Sequence, residues 1–204
     1  MNKRLMCSLA IGALSVGMAM APSAFAAIAQ GTTAPSFTAQ ASHAGKHSTI
    51  TLADALKNGP VIVYFFPSAY TGGCDIEAHA FATEADKFKA AGATIIGVSA
   101  DSIQRLDKFS ADPNYCAGKF PVASDPDGKV AALFDVKMSA AQPGAKDVQG
   151  EAIEHGFISR DTFVIGRDGK IAAVFSSEAD HLHPQDHVSK SLAVVQQLQG
   201  AKQP

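Results

Sequence analysis

The chain has 204 residues, 47% of them hydrophobic, which is enough material for one domain with a proper core. Seventeen Lys and Arg stand against nineteen Asp and Glu, a net charge of −2, and this leaves no electrostatic footprint for nucleic acid. There is no repeat and no long low-complexity tract to suggest an array or a linker.

The first 26 residues read as a secretory signal peptide. Met1-Asn-Lys-Arg4 is a basic start, Leu5–Ala21 an apolar run, and Ala24-Phe-Ala26 an A-x-A cleavage site. A membrane anchor fits less well, because the run is short and the small-residue site follows it directly. Cys7 lies in this run and takes no role. Cleavage leaves a single domain over 27–204 and removes Lys3 and Arg4 but no acid, so the net charge becomes −4 and two cysteines remain, Cys74 and Cys116. Export, with a bacterial periplasm as the expected destination, places them where a disulfide persists. Their number suggests a couple without saying whether it is structural or catalytic.

From Gly31 to Asn58 the chain is polar and turn-rich. Ala34–Phe37 and Ser48–Leu52 are strand-like pieces, His43 and His47 fall in the loop between them without a role, and Thr51 is placed to cap a short helix over Ala53–Lys57. Val61–Phe66 is a buried run of β-branched and aromatic residues, read as the central strand and stopped by Pro67. Seven residues later Cys74 arrives in what reads as the first turn of a helix. Unpaired backbone N–H groups and the positive end of the macrodipole favour an anion there, so the thiol is expected to be more acidic and more reactive. Thr71 brings a hydroxyl beside the sulfur, Pro67 limits the loop's freedom, and Gly72-Gly73 allow close backbone approach. The competing reading is a buried structural cysteine at a helix start.

Ala78, Phe81, Ala85 and Phe88 recur at helical spacing up to Gly92, and Thr94–Ser99 reads as a buried strand. Asp101 or Ser102 caps the next helix, whose inward residues are Ile103, Leu106 and Phe109. Strands alternating with helices at this pace predict an α/β sandwich. Cys116 follows in the breaker-rich Asp112–Lys119 segment. Asp127–Phe134 reads as a short helix with Val130, Leu133 and Phe134 inward, and Ser139–Gly156 as a polar surface excursion. Asp161–Ile165 and Ile171–Phe175, joined by Gly166-Arg-Asp-Gly-Lys170, form a hairpin pattern. Arg160 stands just before it and, on its residue type alone, suits a surface ion pair. The last helix runs from about Pro184 to Gln199 with Val188, Leu192 and Val195 on one face. Ahead of it, His181, His183 and His187 lie with Asp180 and Asp186 in a loose cluster that has no fixed-spacing metal motif.

Pro67-Ser-Ala-Tyr-Thr71-Gly-Gly-Cys74 matches the Pro-x-x-x-Thr-x-x-Cys signature of the peroxiredoxins, and Glu77 also fits. Arg160, followed by Asp161-Thr-Phe-Val-Ile165, resembles that family's arginine and the strand after it. The stretch from about Gly31 to about Phe175 is most similar to the bacterioferritin-comigratory or Q-type branch. The resemblance implies a thioredoxin-like sandwich with a central mixed sheet flanked by helices. It implies a thiol-dependent peroxidase for hydrogen peroxide and organic hydroperoxides that needs no cofactor and no metal. Cys74 is then the attacking thiol, with Pro67, Thr71 and Arg160 its surroundings, and Cys116 the resolving thiol, the alternatives being a structural disulfide or an unpaired Cys116 with an outside thiol resolving Cys74. In other members the resolving cysteine sits five residues after the first, where this chain has His79. The implied partners are a peroxide and an external dithiol reductant, thioredoxin-like or glutaredoxin-like, with the protein a monomer or weak homodimer that binds neither nucleic acid nor membrane. Gly72 stands where a proline is common, which implies a looser turn. Two other readings stay open: a disulfide exchanger of the same fold, which normally needs Cys-x-x-Cys, and a non-enzymatic metal-binding protein built on the histidines.

Overall fold

Alternation along one strand sets the layers of the molecule. Every residue of Val61-Ile-Val-Tyr-Phe65 is buried, as expected of a strand covered on both faces. Ile62 and Tyr64 point with Phe66 into one hydrophobic cluster, and Val61, Val63 and Phe65 into a second on the opposite side.

The computed structural model describes residues 28–200; the expected signal peptide, with Cys7, lies outside them. In chain order the elements are β1 (Thr38–His43), β2 (Lys46–Thr51), α1 (Leu52–Asn58), β3 (Val61–Phe65), α2 (Gly72–Ala90), β4 (Thr94–Ser99), α3 (Ile103–Ala111), β5 (Val122–Ser124), α4 (Lys129–Leu133), β6 (Asp161–Ile165), β7 (Ile171–Ser176) and α5 (Pro184–Gly200). One sheet carries all seven strands in the order β2-β1-β5-β4-β3-β6-β7. β3 runs parallel to β4 and antiparallel to β6, and β4 runs parallel to β5. This is the mixed sheet flanked by helices that the family resemblance implies, within the α/β sandwich that the alternation of strands and helices predicts.

α2, α3 and α5 cover the Tyr64 face through Phe81, Phe88, Leu106, Phe109, Val188 and Val195. Tyr64 is the hub, stacked on Phe66 and Phe81 with Phe120 edge-on. Each such side chain contributes about 1.5–3 kcal/mol by leaving water.

Four details differ from the sequence reading. β1 and β2 form a tight hairpin, so His43 and His47 lie on strands, His47 bonded to Asp107 and His43 Nε2 2.9 Å from the Gly118 carbonyl. The strand signal is weak because the inward positions of β1 are only Ala39, Ala41 and Ser42. Val122–Ser124 is a strand too short to show a period. Leu133 is exposed, because the five-residue α4 ends there and buries Val130, Ala131 and the following Phe134 instead. The 139–156 excursion is irregular, yet it is pinned to the body: Val148 N–H donates to the Tyr70 carbonyl at 2.9 Å and Asp147 pairs with Arg105 at 2.5 Å.

Candidate active site

The carboxyl end of β3 runs through Phe66 into Pro67 and a tight turn over Ser68-Ala-Tyr-Thr71. Ser68 and Ala69 are buried, an arrangement open to loop backbone only when its polar groups find partners. Asp101 supplies them from the end of β4: its carboxylate accepts from the Ala69 N–H at 2.7 Å, the Ser68 hydroxyl at 3.1 Å and the Ser99 hydroxyl at 2.8 Å. Arg105 closes the other side, donating to the Ala69 carbonyl at 3.0 Å and pairing with Asp101 at 2.9 Å. Burial opposes the charge on Asp101, but His155, the Ala69 N–H and Ser99 hold its carboxyl below the usual range. Tyr70 takes a left-handed φ of 59°, unfavourable for a side chain with a Cβ. Its ring is held by Phe109, Tyr115 and the Arg105 guanidinium.

Thr71 is the N-cap of α2 in extended conformation, and its hydroxyl donates to the Ser68 carbonyl at 2.8 Å. Cys74 is therefore the third residue of the helix, and it is 1% exposed. Arg160, entering just ahead of β6, donates from Nη2 to Cys74 Sγ at 3.2 Å. Its Nη1 pairs with Glu77, which lies one turn along α2 and is fully buried. Gly73 leaves the space for this: a Cβ there would sit 3.1 Å from Arg160 Nη2 and 3.6 Å from Pro184.

A buried thiol, an arginine against its sulfur and a carboxylate sharing that arginine are gathered at the end of a central strand. The model of the AhpC/TSA family matches residues 30–174. The chain belongs to the peroxiredoxins. Peroxiredoxin Q of Sedum lineare chloroplasts is 29% identical over 178 residues, covering 86% of this chain and 82% of that protein. Among solved structures, peroxidoxin BcpB of Mycobacterium tuberculosis superposes with a TM-score of 0.67 at 30% identity, covering 86% of this chain and 98% of that one. The Xanthomonas campestris bacterioferritin comigratory protein superposes with a TM-score of 0.60 at 27% identity, covering 78% and 91%. The protein is a thiol-dependent peroxidase of thioredoxin-like fold.

In this peroxiredoxin Thr71 and Arg160 meet at Cys74, Pro67 stands at the head of the same turn, and Cys116 stands apart. It lies beyond α3, buried in the same cluster as Cys74, and both thiols are free. Burial, then Asp112 and Asp75, push the Cys116 thiol well above its ordinary value. The expected acidity of Cys74 needs correction. Burial pushes its thiol up, against Arg160, the Ser68 backbone and the Thr71 hydroxyl, while Glu77 adds to the rise. The reason is that a sulfur taken out of water loses the solvation of its anion, and Glu77 claims part of the Arg160 charge.

Sequence reasoning missed three contributors. Of the two candidate caps for α3, Asp101 and Ser102, it is Ser102 that caps, and Asp101 turns inward to a role the sequence does not show. Arg105 stands among the polar positions of α3, to which the sequence assigns no role. His187 reads as part of the loose histidine cluster, yet it is fully buried, while His181 and His183 are exposed. Spacing carried that last signal, since His187 stands four residues before Ser191 and eight before Val195, both buried. No group of three metal-ligating side chains occurs among the described residues.

Proposed function

We propose that this peroxiredoxin is an exported enzyme that reduces hydrogen peroxide and organic hydroperoxides, with Cys74 as the attacking sulfur and Cys116 as the resolving one. The observation that carries the first role is the 3.2 Å contact between Arg160 Nη2 and Cys74 Sγ. It brings a fixed positive charge to the place where negative charge develops on sulfur and on the leaving oxygen.

The proton balance of the site explains how a dry thiol ionises. Burial raises Glu77 to about 7 against the pull of Arg160, so near neutrality Glu77 and Cys74 compete for one guanidinium. When Glu77 holds the proton, the Arg160 charge falls to the sulfur, and the thiolate is the competent nucleophile. It attacks the terminal peroxide oxygen; the O–O bond breaks, and the leaving oxygen takes a proton and departs as water or alcohol. Cys74 is left as sulfenic acid. The Cys116 thiol then condenses with it, releasing water and forming a disulfide, which an external thioredoxin-like or glutaredoxin-like dithiol reduces by exchange. Alkyl peroxide reduction activity is attributed to the Xanthomonas campestris bacterioferritin comigratory protein, which supports organic hydroperoxides as substrates here.

Cys116 sits among breakers, next to Ala117 and Gly118 with φ of 51° and 64°, a backbone suited to local opening. Such opening is needed, because a disulfide requires Cα atoms within about 7 Å. Export rests on the order of basic start, apolar run and Ala24-Phe-Ala26.

Mixing the reduced mature protein with one equivalent of hydrogen peroxide and following thiol loss and mass tests these roles. Both thiols should vanish with loss of two hydrogens. Cys74→Ser should consume no peroxide; if it still does, the nucleophile is misassigned. Cys116→Ser should stop at an adduct of one oxygen, and normal dithiol-driven turnover in that variant would remove the resolving role alone. In a bacterial periplasmic fraction the mature mass should begin at Ala27, and an intact Met1 would refute export by cleavage.

A further inference from the structure

His187 is fully buried near the amino end of α5, and the reaction above does not use it. Both ring nitrogens are tied down: Nδ1 lies 2.9 Å from the Thr162 hydroxyl and Nε2 2.9 Å from the Ser177 hydroxyl. These partners flank the catalytic arginine. Thr162, in β6, is two residues past Arg160, and the Ser177 N–H donates to the Arg160 carbonyl at 3.0 Å. The ring also stands behind the ion pair, with Nδ1 4.0 Å from Glu77 Oε1, a buried oxygen that has no hydrogen-bond partner among the described residues. One imidazole therefore touches the strand that follows Arg160, the segment that holds its carbonyl, and the approach to its carboxylate partner.

We propose that His187 is a positioning residue: by tying Thr162 to Ser177 behind Glu77, it aims the Arg160 guanidinium at the Cys74 sulfur. The inference rests on the peroxidase reading for its consequence and on geometry for its substance. An aim held within a few tenths of an ångström requires supporting groups that are themselves locked. An imidazole bonded at both ends and packed in the core is such a group. The charged groups facing it are Glu77 from α2, Arg160 from just ahead of β6, Asp180 from the segment leading into α5 and Asp186 from the first turn of α5. Burial, with Arg160 adding to it, lowers His187 to about 4, so the ring stays neutral and leaves the Glu77–Arg160 pair undisturbed at working pH.

The test measures two quantities on the full mature chain. One is the pH midpoint for alkylation of Cys74 by iodoacetamide, read on the Cys74 peptide by mass spectrometry; the other is the second-order rate constant with hydrogen peroxide. His187→Leu should move the midpoint up by about one unit and slow peroxide reduction about tenfold, the cost of losing one well-aimed charged contact. His187→Gln, which keeps a donor and an acceptor, should stay within about threefold of the parent in rate. A folded His187→Leu protein with the parent's midpoint and rate overturns the proposal. Should the leucine variant not fold, Thr162→Val removes one tether while keeping a β-branched shape, and parental values there overturn it equally. If the parent itself ignores peroxide, the peroxidase reading falls, and the alkylation midpoint alone decides the positioning claim.

Discussion

Burial shifts Glu77 and His187 in opposite directions, raising Glu77 from 4.5 to about 7 and lowering His187 from 6.5 to about 4. For Glu77 the folded state binds the proton more tightly than the unfolded state, so its contribution to stability grows as pH falls from about 7 to 4.5. For His187 the unfolded state binds the proton more tightly, so its contribution is full above 6.5 and is lost as pH falls toward 4. Each shift corresponds to about 3 kcal/mol at most, and over the common window the two nearly cancel. The joint contribution of these two groups should thus be nearly flat between pH 7 and 4.5. His187→Gln should expose the Glu77 slope and gain stability on acidification, whereas Glu77→Gln should expose the His187 slope and lose it. Urea unfolding at about pH 7, 5.5 and 4.5 reads both, and parallel profiles for the three proteins would refute these opposed slopes.

Elements differ in how much of their role is local. β3, α2 and the turn between them were legible in sequence because a β-branched run, a proline and a helix-start cysteine lie within fourteen residues, Val61 to Cys74. Arg160 became a site residue only through resemblance to a family motif, since it stands 86 positions from the sulfur it contacts. Asp101 and His187 stayed hidden for a related reason: a polar residue beside an apolar stripe looks the same whether it caps a helix or turns inward, and only the packed neighbour decides. The turn carrying Cys116 shows the same limit. Its breakers indicated a loose segment, but the structure holds it with the His79 Nδ1–Asn114 carbonyl contact at 3.0 Å and with Tyr115 stacked on Phe109. His79 thus occupies the position of an alternative resolving cysteine and latches the segment that carries Cys116. One such exposed bond contributes about 0.5–1.5 kcal/mol. His79→Ala should therefore form the disulfide about two- to tenfold faster after oxidation, measured by acid quench and mass spectrometry; an unchanged or slower rate would show that opening does not run through this contact.

At the scale of the molecule, three distant segments meet in one polar knot beneath the active-site turn. Arg105 pairs with Asp101 at the end of β4 and with Asp147 in the excursion, and it donates to the Ala69 carbonyl in the turn. The side chains of both aspartates are fully buried, while that of Arg105 is 19% exposed. Removing the cation leaves two buried carboxylates short of a partner, a change that costs about 3–5 kcal/mol where burial is complete; residual water access puts Arg105→Leu nearer about 2–4 kcal/mol. The loss should have a location as well as a size. Without Arg105, Asp147 no longer anchors the excursion, and the exposed Lys146 beside it becomes a site for trypsin at concentrations the parent withstands. The turn loses the donor to Ala69, so peroxide reactivity at Cys74 should fall along with the melting temperature. Acid should weaken the parent in the same direction. Burial opposes the charge on Asp147, but Arg105 and the Glu151 and Gln149 N–H groups hold its carboxyl below the ordinary value, as Asp101 is held. Stability from the knot is therefore present above the usual carboxylate range and is lost as pH falls through the lowered values. Calorimetry and timed tryptic digests of Arg105→Leu beside the parent decide the matter. Equal melting with equal cleavage after Lys146 would mean that the excursion is held by its backbone contacts alone and that the knot does not tie the site to the rest of the fold.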